Sequence, residues 1–215
     1  MAQRLKEDVR ARLVDAALSE FVRRGWRGAR LVDIAVAAGA SIGNVYRYFP
    51  DKEALLRAAV PPELGTELVR LLRARVRALG AMGDWRLGDA AGSDRAAALL
   101  AFWIAHRREV VVLLGRAEGS PVAHVRPLVA GELTRAAARY LRDHSERPVP
   151  REVRFVLERI FEGTLGMIVD VLAAHETPEE ISAAFGAFWR YQLAGLQALL
   201  APPRPVRGAG GRARR

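Results

Sequence analysis

The sequence predicts an all-α protein. Three observations carry that prediction. Apolar residues recur at three-to-four spacing through most of the 215 residues. Clusters of glycine and proline separate those stretches. Helix-start residues, Ser41 and Thr177-Pro178, stand where two of the periodic stretches begin.

The elements follow in order. From about Glu7 to Arg24, Val9, Leu13, Ala16/Ala17 and Phe21 form an amphipathic stripe. Arg10, Arg12, Arg23 and Arg24 fall off it, and Gly25 ends the helix. The residues before Glu7, including Arg4 and Lys6, read as a flexible arm or a tag without function. Ile34, Ala35 and Ala38 give a small apolar face to a short helix, which Gly39 stops by taking a left-handed conformation. Ser41 is placed to cap a second short helix, which Pro50 ends after Phe49. Glu53 to Ala59 continues as helix until Pro61-Pro62 kinks or breaks it, and Leu64 to Leu79 resumes the spacing. Residues 80–94 hold four glycines and read as a loop, either a lid or disordered, carrying Met82 and Trp85.

Further helices are expected over about 95–114 and 122–144, divided by Gly119-Ser120-Pro121. Pro148 and Pro150 mark the next turn. A helix over 151–174 has an apolar stripe too wide for one buried face, with Gly163 and Gly166 inside it as points of close helix approach. The last helix starts at Thr177-Pro178 with acids in its first turn and ends at Pro202-Pro203. The tail 202–215 is rich in Pro, Gly and Arg and reads as disordered.

Composition narrows the function classes. No apolar run is long enough to span a membrane, the N-terminus lacks a signal core, and there is no cysteine, so a cytoplasmic protein is expected. The net charge is +10 and lies at the two ends of the chain. Residues 1–60 hold 11 Lys+Arg against 7 Asp+Glu, residues 61–201 hold 18 against 17, and the tail holds 5 arginines and no acid. A basic N-terminal segment suits phosphate binding. His106, His124, His144 and His175 are scattered without ligand spacing, and no phosphate-cradling loop or nucleophile elbow occurs. No catalytic set, metal site or cofactor is expected, and the chain does not read as an enzyme.

Leu31 to Lys52 speaks most directly to function. Two short helices joined at a glycine, with a small residue where they cross, form a helix-turn-helix. Ser41, Ile42, Gly43, Asn44, Tyr46, Arg47 and Tyr48 are left outward, a face suited to phosphates and base edges in a major groove. An ordinary helical hairpin with a wet face is the plainer alternative. The run DIAVAAGASIGNVYRYFPDKEALL resembles the DNA-binding domain of the TetR family of bacterial transcriptional regulators. The match includes Asp33-Ile34-Ala35, Gly39, Ser41, Gly43, Tyr46, Tyr48-Phe49 and Lys52, and extends over roughly residues 8 to 60. Where the family usually caps its second helix with Thr or Ser, this chain has Ala29-Arg30, which removes a cap and places Arg30 where it can meet the same phosphate.

The resemblance implies a TetR-like architecture. A helix-turn-helix domain at 1–50 stands on a helical ligand-binding and dimerisation domain at 51–201, followed by the tail. It implies that Ser41, Asn44, Tyr46, Tyr48 and Lys52 hold phosphates, with Ile42, Gly43 and Arg47 facing the bases. The implied function is that of a homodimeric repressor on a double-stranded operator, released by a small apolar ligand. An activator, or a regulator without a ligand, would use the same hairpin with a filled core. A small-molecule-binding protein or enzyme with a vestigial hairpin belongs to a different class. Trp85, Phe102, Trp103 and His106 are the candidate ligand contacts, with a surface or satisfied core histidine as the alternative for His106. In the family the last two helices pair between protomers, which makes Phe161, Gly163, Gly166, Ile168, Phe185, Phe188, Trp189 and Leu196 candidate interface residues. A purely intramolecular core is the alternative use of those stripes.

Overall fold

The computed structural model describes residues 2–81, 93–144 and 150–200, and these are helical with no strand among them. The loop residue Trp85 and the tail lie outside the described residues. Helix α1 (Ala2–Gly28) buries Leu13, Ala17 and Phe21 completely. It begins at Ala2, so the backbone expected as an arm before Glu7 is helical. Gly25 interrupts it at φ 68°, a left-handed value that costs glycine no steric clash. The break swings Trp26 back onto Phe21, with ring centroids 5.8 Å apart.

Helices α2 (Leu31–Ala37) and α3 (Ile42–Tyr48) follow, then α4 (Lys52–Ala59), capped by the Asp51 carboxylate, which accepts from the Ala54 N–H at 2.6 Å. At Pro61-Pro62 the helix breaks rather than bends. Val60 leaves helical geometry at φ −132°, and α5 (Pro62–Ala81) starts with proline in its first turn, where a missing N–H costs nothing.

The helix expected over 95–114 is three pieces. Helix α6 (Asp94–Ala105), capped by Ser93, ends at His106, whose φ −118° and ψ 35° are not helical. Helix α7 (Arg107–Val111) then runs into a π-helical turn over Val112–Arg116. Close packing accompanies that turn: a Cβ on Gly115 would stand 2.6 Å from Val169 Cγ1. Gly119, at φ 80°, starts the next reversal, and α8 (Val125–His144) begins a turn later than the spacing suggests. Helix α9 (Arg151–Ala174) lies where the sequence places it. Helix α10 (Pro178–Leu200) opens with a capping box. The Glu180 N–H donates to Thr177 Oγ1 at 3.3 Å, and the Thr177 N–H donates to the Glu180 carboxylate at 3.4 Å.

A single apolar cluster runs from Leu13 and Phe21 in α1, through Ile34, Val45 and Leu55, to Val110, Leu165 and Phe185. Polar contacts reinforce this joint between the N-terminal helices and the rest. Arg108 donates to Asp15 at 2.6 Å and to Ser19 at 3.1 Å, and Arg27 pairs with Glu118. A smaller cluster of Ala137, Leu157 and Phe161 closes the other end, between α8 and α9.

Candidate nucleic-acid interface and ligand cavity

Helix α2 is placed by burial of Ile34 and Ala35 and by Arg24, which bridges the buried Glu20 at 3.2 Å and Asp33 at 3.3 Å. No side chain caps its start: Arg30 stands at the N-cap position, exposed and without a capping bond. Gly39, at φ 62°, turns the chain, and Ser41 caps α3 by accepting the Asn44 N–H at 3.2 Å. Val45 and Phe49 are buried beneath α3, and Arg10 lies over the Phe49 ring at 5.4 Å. That anchoring leaves Ser41, Ile42, Gly43, Tyr46 and Arg47 exposed on one side, with Asn44 and Tyr48 half-buried at its margins. An added Cβ on Gly43 would meet only Ser41 Oγ, at 3.8 Å, so internal packing does not require glycine there. The exposed surface of α2 adds two apolar side chains, Val32 and Val36.

Lys52 is engaged within the protein. Its ammonium donates to the Trp26 carbonyl and lies 4.5 Å from the Trp26 ring centroid, tying α4 to the segment after the Gly25 break. Burial pushes the ammonium below its usual pKa.

A cavity of about 650 Å³ opens between α5, α6, α8, α9 and α10. Its wall is mostly aliphatic and aromatic, including Leu72, Leu99, Trp103, Phe161, Ile168 and Phe185. Trp103 stacks on Trp189 at 6.3 Å and 15° and meets Phe185 at 4.7 Å. Its indole Nε1 is buried without a hydrogen-bond partner, an arrangement that costs about 1–3 kcal/mol until an acceptor arrives. Thr164 and Gln192 are a buried polar pair in the same wall: the Gln192 amide donates to Thr164 Oγ1 at 2.9 Å, and that hydroxyl donates to the Ile160 carbonyl at 2.8 Å.

Of the candidate ligand contacts, Trp103 lines the cavity. Phe102 is buried in the core instead, against the His106 ring at 4.8 Å, and neither of these two lines it. Sequence reasoning missed Arg75, Tyr140, Thr164 and Gln192 in the cavity wall. Gln192 had a signal, since it is a lone amide inside the apolar stripe of α10.

Among the candidate interface residues, Phe161, Ile168 and Phe185 lie in the interior of the fold and Phe188, Trp189 and Leu196 are half-buried. Gly163 is exposed, and a Cβ added at Gly163 or Gly166 would meet nothing within 4 Å. The outer surface of α9 and α10 instead presents Phe155 (62 % exposed), Met167 and Tyr191 (78 % exposed). No described helix is long and apolar enough to cross a membrane.

Residues 13–59 match the family described as bacterial regulatory proteins, tetR family. No curated protein matches the chain. Solved structures similar to it include a tetR-family transcriptional regulator from Streptomyces coelicolor, 23% identical, with 90% of this chain and 89% of that one covered and a TM-score of 0.41. Another is NalD of Pseudomonas aeruginosa, secondary repressor of the MexAB-OprM multidrug efflux pump, at 18% identity, 95% and 99% coverage and a TM-score of 0.40. A third is Thermus thermophilus FadR, a TetR-family transcriptional repressor in complex with lauroyl-CoA, at 22% identity, 94% and 100% coverage and a TM-score of 0.41. Residues 13–59, which build the helix-turn-helix of α2 and α3, thus carry the N-terminal DNA-binding domain of the tetR family of bacterial regulatory proteins.

Proposed function

We propose that this chain is a homodimeric operator-binding repressor that leaves DNA when a small, largely apolar molecule enters the cavity. The observation that carries the reading is the pairing of an exposed polar α3 with an apolar cavity of about 650 Å³, joined through one continuous core. The cavity favours ligand control over a regulator with a filled core. The helix-turn-helix over about 1–50 is the DNA-reading part, and 51–201 the ligand and dimer part. Ser41, Asn44, Tyr46, Tyr48 and Arg30 hold phosphates and set register, while Ile42, Gly43 and Arg47 meet base edges. Lys52 acts from its place beside Trp26, orienting the hairpin and adding positive charge near the backbone. The exposed stripe of α9, with Phe155, Gly163 and Met167 spaced by eight and then four residues, and Tyr191 and Gly195 on α10, form the surface that meets the second protomer.

Coupling has two physical routes. Helix α5 lines the cavity through Leu72 and Val76 and starts at the Pro61-Pro62 break behind α4. Helix α9 lines it through Phe161, Thr164 and Ile168, while Val169 bears on Gly115 in the π-helical turn. That turn reaches α1, where the Arg116 carbonyl faces Gly25. A dimer must hold its two α3 helices about 34–36 Å apart to enter successive major grooves, and a ligand that prefers another spacing shifts the population off DNA. Footprinting on the gene's own upstream intergenic DNA, at two salt concentrations against scrambled competitor, tests the reading. A protected two-fold-symmetric site supports it. Weak, competitor-sensitive binding that vanishes with salt would mean that charge alone acts, and the repressor reading would fall.

A further inference from the structure

Thr164 and Gln192 both line the cavity, 4 % and 7 % exposed, among aliphatic and aromatic neighbours. The Thr164 hydroxyl has one proton and gives it to the Ile160 carbonyl at 2.8 Å, so toward Gln192 it only accepts. That fixes the amide: its nitrogen faces Thr164 at 2.9 Å and its carbonyl oxygen is turned away. Among the described residues that oxygen meets no donor, and it is not sealed inside the wall, so its lone pairs open on the cavity. Arg75 and Tyr140 already have partners, Ser182 donates to the Pro178 carbonyl at 2.6 Å, and Arg190 is exposed. A molecule that fills the cavity strips water from the Gln192 oxygen. Unless it brings a donor of its own, the acceptor is left buried and unpaired, and binding is weakened.

We propose that the cavity selects a neutral molecule with a hydrocarbon body and one hydroxyl, an alcohol or a phenol, which donates to Gln192 Oε1. The body lies against the apolar wall of Leu72, Phe161 and Phe185. This rests on the ligand-binding half of the proposed function and names the ligand's polar group.

Isothermal titration of the DNA-free protein with 4-pentylphenol and 4-pentylanisole, each below its solubility limit, tests it directly. The two share a body and differ by one methyl group on oxygen. Burial of that methyl alone favours the anisole. A bond to Gln192 favours the phenol instead, by about five-fold or more. Gln192→Leu and Gln192→Met, which roughly keep the side chain's volume, should reverse the order. The proposal is overturned if the wild-type protein binds the anisole as tightly as the phenol, or if neither binds. It is also overturned if the phenol keeps its advantage in either variant once circular dichroism shows that variant folded. Footprinting the same preparations separates the two ideas. Operator binding released equally by both ligands removes this inference alone, and a phenol preference without operator binding removes the regulator reading alone.

Discussion

At Lys52 the ammonium donates to the Trp26 carbonyl while lying over the ring of the same residue, so one side chain fastens α4 to the turn after Gly25. Replacing it with methionine keeps the stem and loses both contacts. We expect about 1 kcal/mol less stability in urea unfolding and weaker binding to every DNA sequence alike. Arg47 has no such internal role on its exposed face, so Arg47→Ala should leave the unfolding midpoint in place. Its cost, about 1–3 kcal/mol, should appear in binding to the intact operator and shrink when one base pair is changed. Equal losses on all sequences for both variants would remove Arg47 from base reading. Arg24 makes the complementary case inside the fold. Glu20 and Asp33 each have a buried carboxylate oxygen facing its guanidinium, and Arg24→Met leaves Asp33 without this partner and Glu20 with Arg23 alone. A loss of about 1–3 kcal/mol in thermal or urea unfolding is expected, with operator affinity falling because α2 loses its tie to α1.

Among the elements, the π-helical turn carries the described glycine with the least room for a side chain, Gly115. Gly115→Ala would push a methyl group to 2.6 Å from Val169 Cγ1, so α9 must move or the turn must open. The variant should unfold earlier by about 1–3 kcal/mol, and Val169→Ala in the same chain should restore part of the loss. Simple additivity of the two changes would show that they do not meet. Helices α5 and α8 are tied by charge: Arg73 and Arg135 both donate to Glu132 and hold its carboxyl down at about 2. A depressed carboxylate stabilises the fold above its unfolded pKa and loses that contribution as pH falls through the folded value. Stability should therefore decline between about pH 5 and 2, and Glu132→Gln should flatten that slope in acid titrations.

Much of this layer was legible in the sequence because it depends on neighbours along the chain. Gly39, Ser41, Pro61-Pro62 and Thr177-Pro178 act within a turn of their own positions, and each produces the stop, cap or break its chemistry implies. The break at His106 was hidden because the apolar pattern runs through it, from Phe102/Trp103 to Val110, without a glycine or proline to mark the change. The cavity was hidden for another reason. Its wall draws on five helices, and no local spacing says that Arg75, Tyr140 and Gln192 meet there. The wide stripes of the last two helices likewise could not tell inward Phe161 and Phe185 from outward Phe155 and Tyr191.

For the molecule as a whole, the charge sits apart from the ligand cavity. The body between residues 61 and 201 is nearly neutral, while residues 1–60 carry an excess of positive charge that, on the proposed function, would face phosphate. The logarithm of operator affinity should fall linearly with log salt, and Arg30→Ala should reduce that slope by about one without changing sequence preference. The proposed dimer would assemble through the outer surface of α9 and α10. Tyr191→Glu combined with Phe155→Glu should convert the dimer to monomer by light scattering and abolish two-site footprints while leaving helix content unchanged. An unchanged mass would move the interface elsewhere.

The placement of the described tryptophans, Trp26, Trp103 and Trp189, gives two separate optical channels. Trp103 and Trp189 are stacked in the cavity wall, whereas Trp26 stands at the hinge of the DNA-reading segment under the Lys52 ammonium. Stacked indoles couple their near-ultraviolet transitions, so a molecule slipping between them alters circular dichroism in the aromatic band. Trp26 registers the other event, through quenching of its emission as the cation above it moves. On the proposed function, one cuvette with no dye attached would follow ligand entry and release from DNA in real time, and the delay between the two signals would be the transit time of the switch.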